Sequence, residues 1–118
     1  MQPASGYDPS RSTVGPEKVT QFIQSPITGD LNEVPGIGPK AIEKLKEVKI
    51  STTFALIGQF LTLKEEGVES VEHCDRFWYW LQNVGISSHR SGIVQAIAEK
   101  TDSMFPGIYD GSAYEAIA

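Results

Sequence analysis

Two glycines stand two residues apart at the mouth of a lysine-bearing helix, in the stretch Val34 to Lys40, which reads VPGIGPK. Glycine has no Cβ, so the backbone at Gly36 and Gly38 can turn sharply and phosphate oxygens can approach it closely. Ile37 can point inward and anchor the turn. Amide groups near Gly36, Gly38 and Lys40 would then face an anion at the positive end of a helix dipole. The spacing therefore predicts a phosphate-binding turn.

The residues after this turn add positive charge to it. Lys40 and Lys44 lie one helical turn apart and can flank an anion. Residues 36–49 carry a net charge of +2, whereas the rest of the chain carries −7. A clamp of amides and lysines contacts the DNA backbone rather than the bases, which predicts binding without sequence preference. A glycine pair can equally be a simple tight turn, and Asp30 and Glu33 just before it would repel phosphate.

Apolar residues recur at helical spacing along the chain, and no long segment alternates with period two. The pattern predicts an all-α fold, a compact bundle of about five helices that contains a helix-hairpin-helix motif. Residues 54–63, FALIGQFLTL, are apolar on most sides and predict the buried centre of the bundle. We expect a disordered N-terminal tail over 1–14, a helical domain over 15–107 and a flexible C-terminal tail over 108–118.

The totals of the sequence argue against several classes of protein. No apolar run approaches the roughly 18 residues of a membrane span, and the N-terminus lacks the apolar core of a secretory signal. The chain has one cysteine and two histidines, and His73, Cys74 and Asp75 are consecutive, so they diverge on a helix. We therefore expect no catalytic site, no metal, no cofactor and no small-molecule substrate.

Longer stretches of the sequence resemble the barrier-to-autointegration factor family. GIGPKAIEKLKEVKISTTFALIGQFLTLK, at 36–64, follows that family's spacing and includes GQFL at 58–61. FWYWL is similar to the family's Phe-x-x-Trp-Leu, SSHRSG resembles a second, imperfect hairpin, and EKVTQF resembles the first helix. The resemblance covers about residues 16–106.

The resemblance implies a small all-helical domain that forms a symmetric dimer. Each subunit would bind double-stranded DNA regardless of sequence, so one dimer would bridge two duplexes. The dimer would also offer a groove to helical domains of inner-nuclear-membrane proteins. Its location would be the nucleus, at chromatin and the nuclear envelope, and also the cytoplasm. Carried over by position, the predicted DNA-binding residues are Lys18, Gly36, Ile37, Gly38, Lys40, Lys44, Ser88 and Arg90.

The departures from the family pattern define an alternative. Val19 and Thr20 stand where the family has further basic residues, and the loop 65–69 is longer and more acidic. Such a chain could be a dimeric protein-interaction module of the same fold that has lost DNA binding. A second alternative, an accessory domain of a DNA-repair enzyme, requires the chain to be a fragment, which the initial Met1 argues against.

Overall fold

Helices account for the regular structure of residues 6–115, which are the residues that the computed structural model describes, and no strand occurs among them. The helices are α1 (Pro16–Gln24), α2 (Pro39–Glu47), α3 (Thr53–Thr62), α4 (Ser70–Val84), α5 (Arg90–Met104) and α6 (Ser112–Glu115). Short 3₁₀ turns at Pro9–Arg11 and Leu31–Glu33 precede α1 and α2. This arrangement confirms the predicted all-α fold. Within the described part of the chain, no helix has both the length and the apolar character needed to cross a membrane.

Helix α5 lies at the centre of the bundle, where it contacts α1, α3, α4 and the first 3₁₀ turn. Its buried residues include polar ones, which are tolerated because they are hydrogen-bonded. Thr101 Oγ1, for example, donates to the carbonyl oxygen of Ile97 at 2.7 Å. The sequence predicted residues 54–63 as the centre, but α3 buries Phe60 on one face and leaves Phe54 58% exposed on another. Part of the apolar surface of α3, at Phe54, therefore remains exposed in the bundle.

A buried lysine joins α5 to the end of α1. Lys100 Nζ donates to the carbonyl oxygens of Ile23 and Ser25, at 2.8 and 2.5 Å. Carbonyls at a helix C-terminus lack partners within the helix, and a cation there also complements the helix dipole. Lys100 is 7% exposed, so its side chain fixes α1 on α5 from inside the fold.

Residues 6–14 form a segment that we call the N-terminal strap, and it packs against α4 and α5. Tyr7 is 5% exposed, and its amide donates to Asp75 Oδ1 at 2.9 Å. Farther along, the amide of Asp8 donates to Ser91 Oγ at 3.4 Å. The sequence predicted a disordered tail over 1–14, and the structure differs from residue 6 onward because Tyr7 reaches the core. Residues 1–5 lie outside the described part.

The segment after α5 also packs on the domain. Ile108 and Tyr109 are partly buried against the core, and Asp102 Oδ1 accepts the amide of Gly107 at 2.9 Å. The hydroxyl groups of Tyr7 and Tyr109 are 2.9 Å apart, so the two ends of the described chain meet. The sequence predicted a flexible tail from residue 108. The structure instead continues through α6, and residues 116–118 lie beyond the described part.

Candidate nucleic-acid interface

The glycine-rich stretch before α2 folds into a type II turn. Pro35 and Gly36 occupy its two central positions, and the amide of Ile37 donates to the carbonyl oxygen of Val34 at 3.1 Å. The third position of this turn needs a positive φ, and Gly36 has φ of +93°. Ile37 and Val34 are both buried, at 5% and 1% exposure, and they anchor the turn to the core. Ile37 is one of the predicted DNA-binding residues, but its amide is engaged inside the turn.

The two glycines of the turn have different surroundings. A Cβ on Gly36 would lie 3.0 Å from Ile93 Cγ1, 3.3 Å from Val14 Cγ2 and 3.4 Å from His89 Cβ. Gly36 is therefore confined both by its φ and by the parts of the chain that pack around it. A Cβ on Gly38 would meet no atom of residues 6–115 within 4 Å, and its φ of −112° suits any residue. Gly38 therefore faces open space, where a ligand can approach the backbone.

Helix α2 begins directly after this open position. Gly38 is its N-cap, Pro39 is its first residue, and no side chain caps it. Proline has no N–H, and the first intrahelical bond runs from the amide of Ile42 to the carbonyl oxygen of Gly38, at 3.0 Å. The amides of Lys40 and Ala41 thus stand at an uncapped, positively polarised helix end.

A cleft of about 370 Å³ brings Lys40 and Lys44 of α2 together with Ser87 and Ser88 of the loop before α5. The stem of Lys44 runs along Gly85, whose added Cβ would lie 3.2 Å from Lys44 Cδ. The two predicted hairpin regions therefore share one cleft, which Glu43 of α2 also lines.

Lys18 lies on the opposite side of the turn. A second cleft, of about 480 Å³, joins Lys18 and Gln21 of α1 to Pro35, Gly36 and Ile37. Lys18 is exposed, so its ammonium group is accessible to a ligand that spans the turn. Of the predicted residues, Lys40, Lys44 and Ser88 thus line one cleft, and Lys18, Gly36 and Ile37 line the other.

Arg90, the remaining predicted residue, is directed into the fold. Its guanidinium carbon lies 4.1 Å from the centre of the Trp78 ring, a cation–π contact. Its Nη1 donates to the carbonyl oxygen of Ile86 at 3.1 Å, and its Nε is buried. The structure therefore does not bring the Arg90 guanidinium among the lysines of the two clefts.

Glu33 was expected to repel phosphate, but its carboxylate is occupied by four internal donors. Oε1 accepts the amide and hydroxyl of Thr28 at 3.0 and 3.1 Å, and Oε2 accepts the Gly29 amide at 3.0 Å and the Thr53 hydroxyl at 2.7 Å. Burial by itself would raise the pKa of Glu33, but these hydrogen bonds outweigh it and lower the pKa. Glu33 thereby ties the chain before the turn to the start of α3.

Val14 and His89 are not among the residues predicted for this surface, yet both lie against Gly36. Thr13 Oγ1 is hydrogen-bonded to Nδ1 of His89, which ties the N-terminal strap to the start of α5. No local pattern marks these residues, because their contacts come from distant parts of the chain. The positive φ of His89, +60°, is likewise not indicated by the sequence and is seen only in the structure.

Comparison with known proteins assigns this helical chain to a family. The family model described as barrier to autointegration factor matches residues 13–104, which is more than three quarters of the chain. The chain belongs to that family, whose members are non-enzymatic, DNA-binding proteins of chromatin. Comparison with curated proteins and with solved structures gave no match.

Proposed function

We propose that this protein binds the sugar-phosphate backbone of double-stranded DNA, without sequence preference. The observation that carries the proposal is the uncapped start of α2, which follows the open position at Gly38 and is flanked by Lys40 and Lys44. In this reading the stretch works as a helix-hairpin-helix motif. Amides of Gly38 and Lys40 donate to phosphate oxygens, and the lysines neutralise charge.

The remaining site residues extend this contact to both sides. Lys18 meets the DNA backbone across the turn, and Ser88 donates from the loop that faces α2. The buried Ile37 side chain and the positive φ of Gly36 hold the turn in shape. The amides supply donors that a count of charges leaves out, which is how a protein of net charge −5 can bind DNA.

We further propose that the protein acts as a homodimer that bridges two duplexes in the nucleus, at chromatin and the nuclear envelope, and also in the cytoplasm. The support is the surface of α3, where Phe54, Gly58 and Leu61 share one helical face. Phe54 is 58% exposed, and a Cβ on Gly58 would meet no atom of the described part of the chain within 4 Å, so a second chain could approach closely. By family resemblance, the dimer also receives helical domains of inner-nuclear-membrane proteins.

The DNA proposal is tested by fluorescence anisotropy with two unrelated random-sequence duplexes over a range of salt concentrations. We expect equal affinities for both duplexes and a steep decrease with salt, because each neutralised phosphate contributes about 0.9 to the log–log slope. Absence of binding at low salt would favour the alternative, a protein-interaction module of this fold. A marked preference for one duplex would contradict backbone recognition.

Sedimentation tests the dimer with a matched pair of phenylalanine variants. The wild type should sediment at about twice 12.9 kDa. Phe54→Ser should shift it toward the monomer, because Phe54 lies on the proposed α3 interface. Phe105→Ser is the control, since Phe105 is 53% exposed but follows the end of α5. A wild-type monomer at micromolar concentration, or equal effects of both variants, would refute this interface.

A further inference from the structure

The neighbouring side chains of His89 and Arg90, at the start of α5, have different surroundings. Arg90 is partly buried, with its guanidinium over the Trp78 ring and its Nη1 on the carbonyl oxygen of Ile86. His89, the residue before it, is exposed and lies against Gly36 of the glycine turn. The side chain that accompanies the proposed DNA-binding turn is therefore a histidine.

Three features fix the position of His89: its backbone conformation, a hydrogen bond and a packing contact. Its backbone is left-handed, with φ of +60°, a conformation that costs a residue with a side chain about 1 kcal/mol or more and persists where the surroundings enforce it. Thr13 of the N-terminal strap is hydrogen-bonded to its Nδ1. Gly36 packs closely against His89, since a Cβ added to Gly36 would lie 3.4 Å from the Cβ of His89.

We propose that His89 is a further DNA-backbone contact, oriented by Thr13, and that Arg90 is a positioning residue that braces the loop 85–89. This inference rests on the proposed DNA binding and assigns its second contact region. In this proposal the Thr13 hydroxyl donates to Nδ1 of His89, and Nε2 carries an N–H that faces outward. That N–H then donates to a phosphate oxygen beside the glycine turn.

Arg90 acts through the loop rather than on the DNA. Its Nη1 holds the carbonyl oxygen of Ile86, the residue directly before Ser87 and Ser88 in the cleft. The planar guanidinium stacks on Trp78 while it makes this bond, which the ammonium group of a lysine cannot reproduce. The brace thus keeps Ser87 and Ser88 in the cleft beside the lysines of α2, and it fixes the loop that carries His89 to Gly36.

The His89 assignment is tested with His89→Gly and Thr13→Val in the salt-dependent anisotropy assay. Glycine accepts the left-handed backbone, so His89→Gly should keep or raise the melting temperature while it weakens DNA binding roughly three- to tenfold. Thr13→Val should weaken binding by a smaller factor, because the imidazole remains but loses its orientation. Thr20→Val, at an exposed position of α1, is the control and should bind like the wild type.

The Arg90 assignment is tested with Arg90→Lys and Arg90→Gln. A brace predicts that both variants lower the melting temperature and weaken binding by similar factors, roughly tenfold, with the salt slope of the wild type. A direct phosphate contact predicts the reverse pattern. Arg90→Lys would then bind like the wild type, and Arg90→Gln would lose about 0.9 from the slope. That pattern would overturn the positioning role.

The outcomes separate this inference from the function on which it rests. Wild-type protein that binds neither duplex refutes the proposed function, and the His89 assignment is refuted with it. Wild-type protein that binds, together with a folded His89→Gly variant of equal affinity, leaves the proposed function standing and overturns the His89 contact alone.

Discussion

Helices α2 and α5 both begin after a loop that contains a glycine of positive φ, but the two helix starts are built differently. Before α2, Gly36 makes the turn, Gly38 is the N-cap, and the space around the cap is open. Before α5, Gly85 ends α4, and the N-cap is His89, whose side chain is held by the N-terminal strap. Neither start has a side-chain cap among the described residues, so the two differ in the open space at Gly38 and in the tertiary contacts that hold His89.

The difference also separates two glycines that look equivalent in the sequence. Gly36 is required by the fold, because its φ is positive and three side chains surround it. Gly38 is free of both constraints, so its lack of a side chain matters for what approaches from outside. Substitutions at these two positions should therefore affect different properties of the protein.

The largest effect is expected from a negative charge at the open position. Gly38→Glu should weaken DNA binding by about 100-fold or more, because a carboxylate beside the α2 amides repels phosphate and occupies its space. The backbone at residue 38 accepts a side chain, so the circular dichroism spectrum should keep its helical content. Anisotropy measures the affinity, and affinity like that of the wild type would contradict the assignment of this turn.

A smaller effect on stability is expected at the confined position. Gly36→Ala should lower the free energy of unfolding by about 1–3 kcal/mol, because alanine is strained at this φ and its methyl group would press on Ile93. Gly38→Ala is the matched control and should change the free energy by less than about 0.5 kcal/mol. Denaturant unfolding of both variants checks the pair, and equal losses would show that the two glycines play one role.

The smallest effect is the loss in acid of the stability that the Glu33 carboxylate contributes before the glycine turn. The folded-state pKa of Glu33 is lowered, so its contribution to stability is present above the unfolded pKa and is lost as pH falls through the folded pKa. The wild type should therefore exceed Glu33→Gln in stability at pH 7, by about 1 kcal/mol, and lose this advantage in acid. Denaturant unfolding between pH 7 and 3 measures the difference, and a constant difference would argue against a charged Glu33.

Much of the first helix start could be predicted from the sequence, because its determinants are local. A Pro-Gly pair specifies the type II turn, and proline suits the first position of α2. The second start could be predicted only in part. The direction of the Arg90 side chain depends on Trp78 of α4, and that of His89 depends on Thr13 of the strap. Such contacts leave no trace in local spacing.

The strap and the bundle centre show the same limit. Tyr7 sits in a stretch rich in proline, glycine and serine, which predicted disorder, yet its contacts with Asp75 and Tyr109 secure it. Conversely, the strong apolar pattern of α3 predicted the centre, whereas α5 occupies it with hydrogen-bonded polar residues such as Lys100 and Thr101. Composition ranks segments by hydrophobicity, but hydrogen bonding decides which polar groups can be buried, and for Lys100 the partners are the distant residues Ile23 and Ser25.

The neighbours of Gly36 come from chain positions 14, 89 and 93, so the glycine turn is completed by residues far from it in the sequence. Closing such long loops costs entropy that the rest of the fold must offset. A peptide that carries VPGIGPK alone would lack these neighbours, and the turn should take its bound shape only together with the whole domain. A ligand on this surface would therefore stabilise the domain against global unfolding, and amide exchange throughout the core would slow on binding.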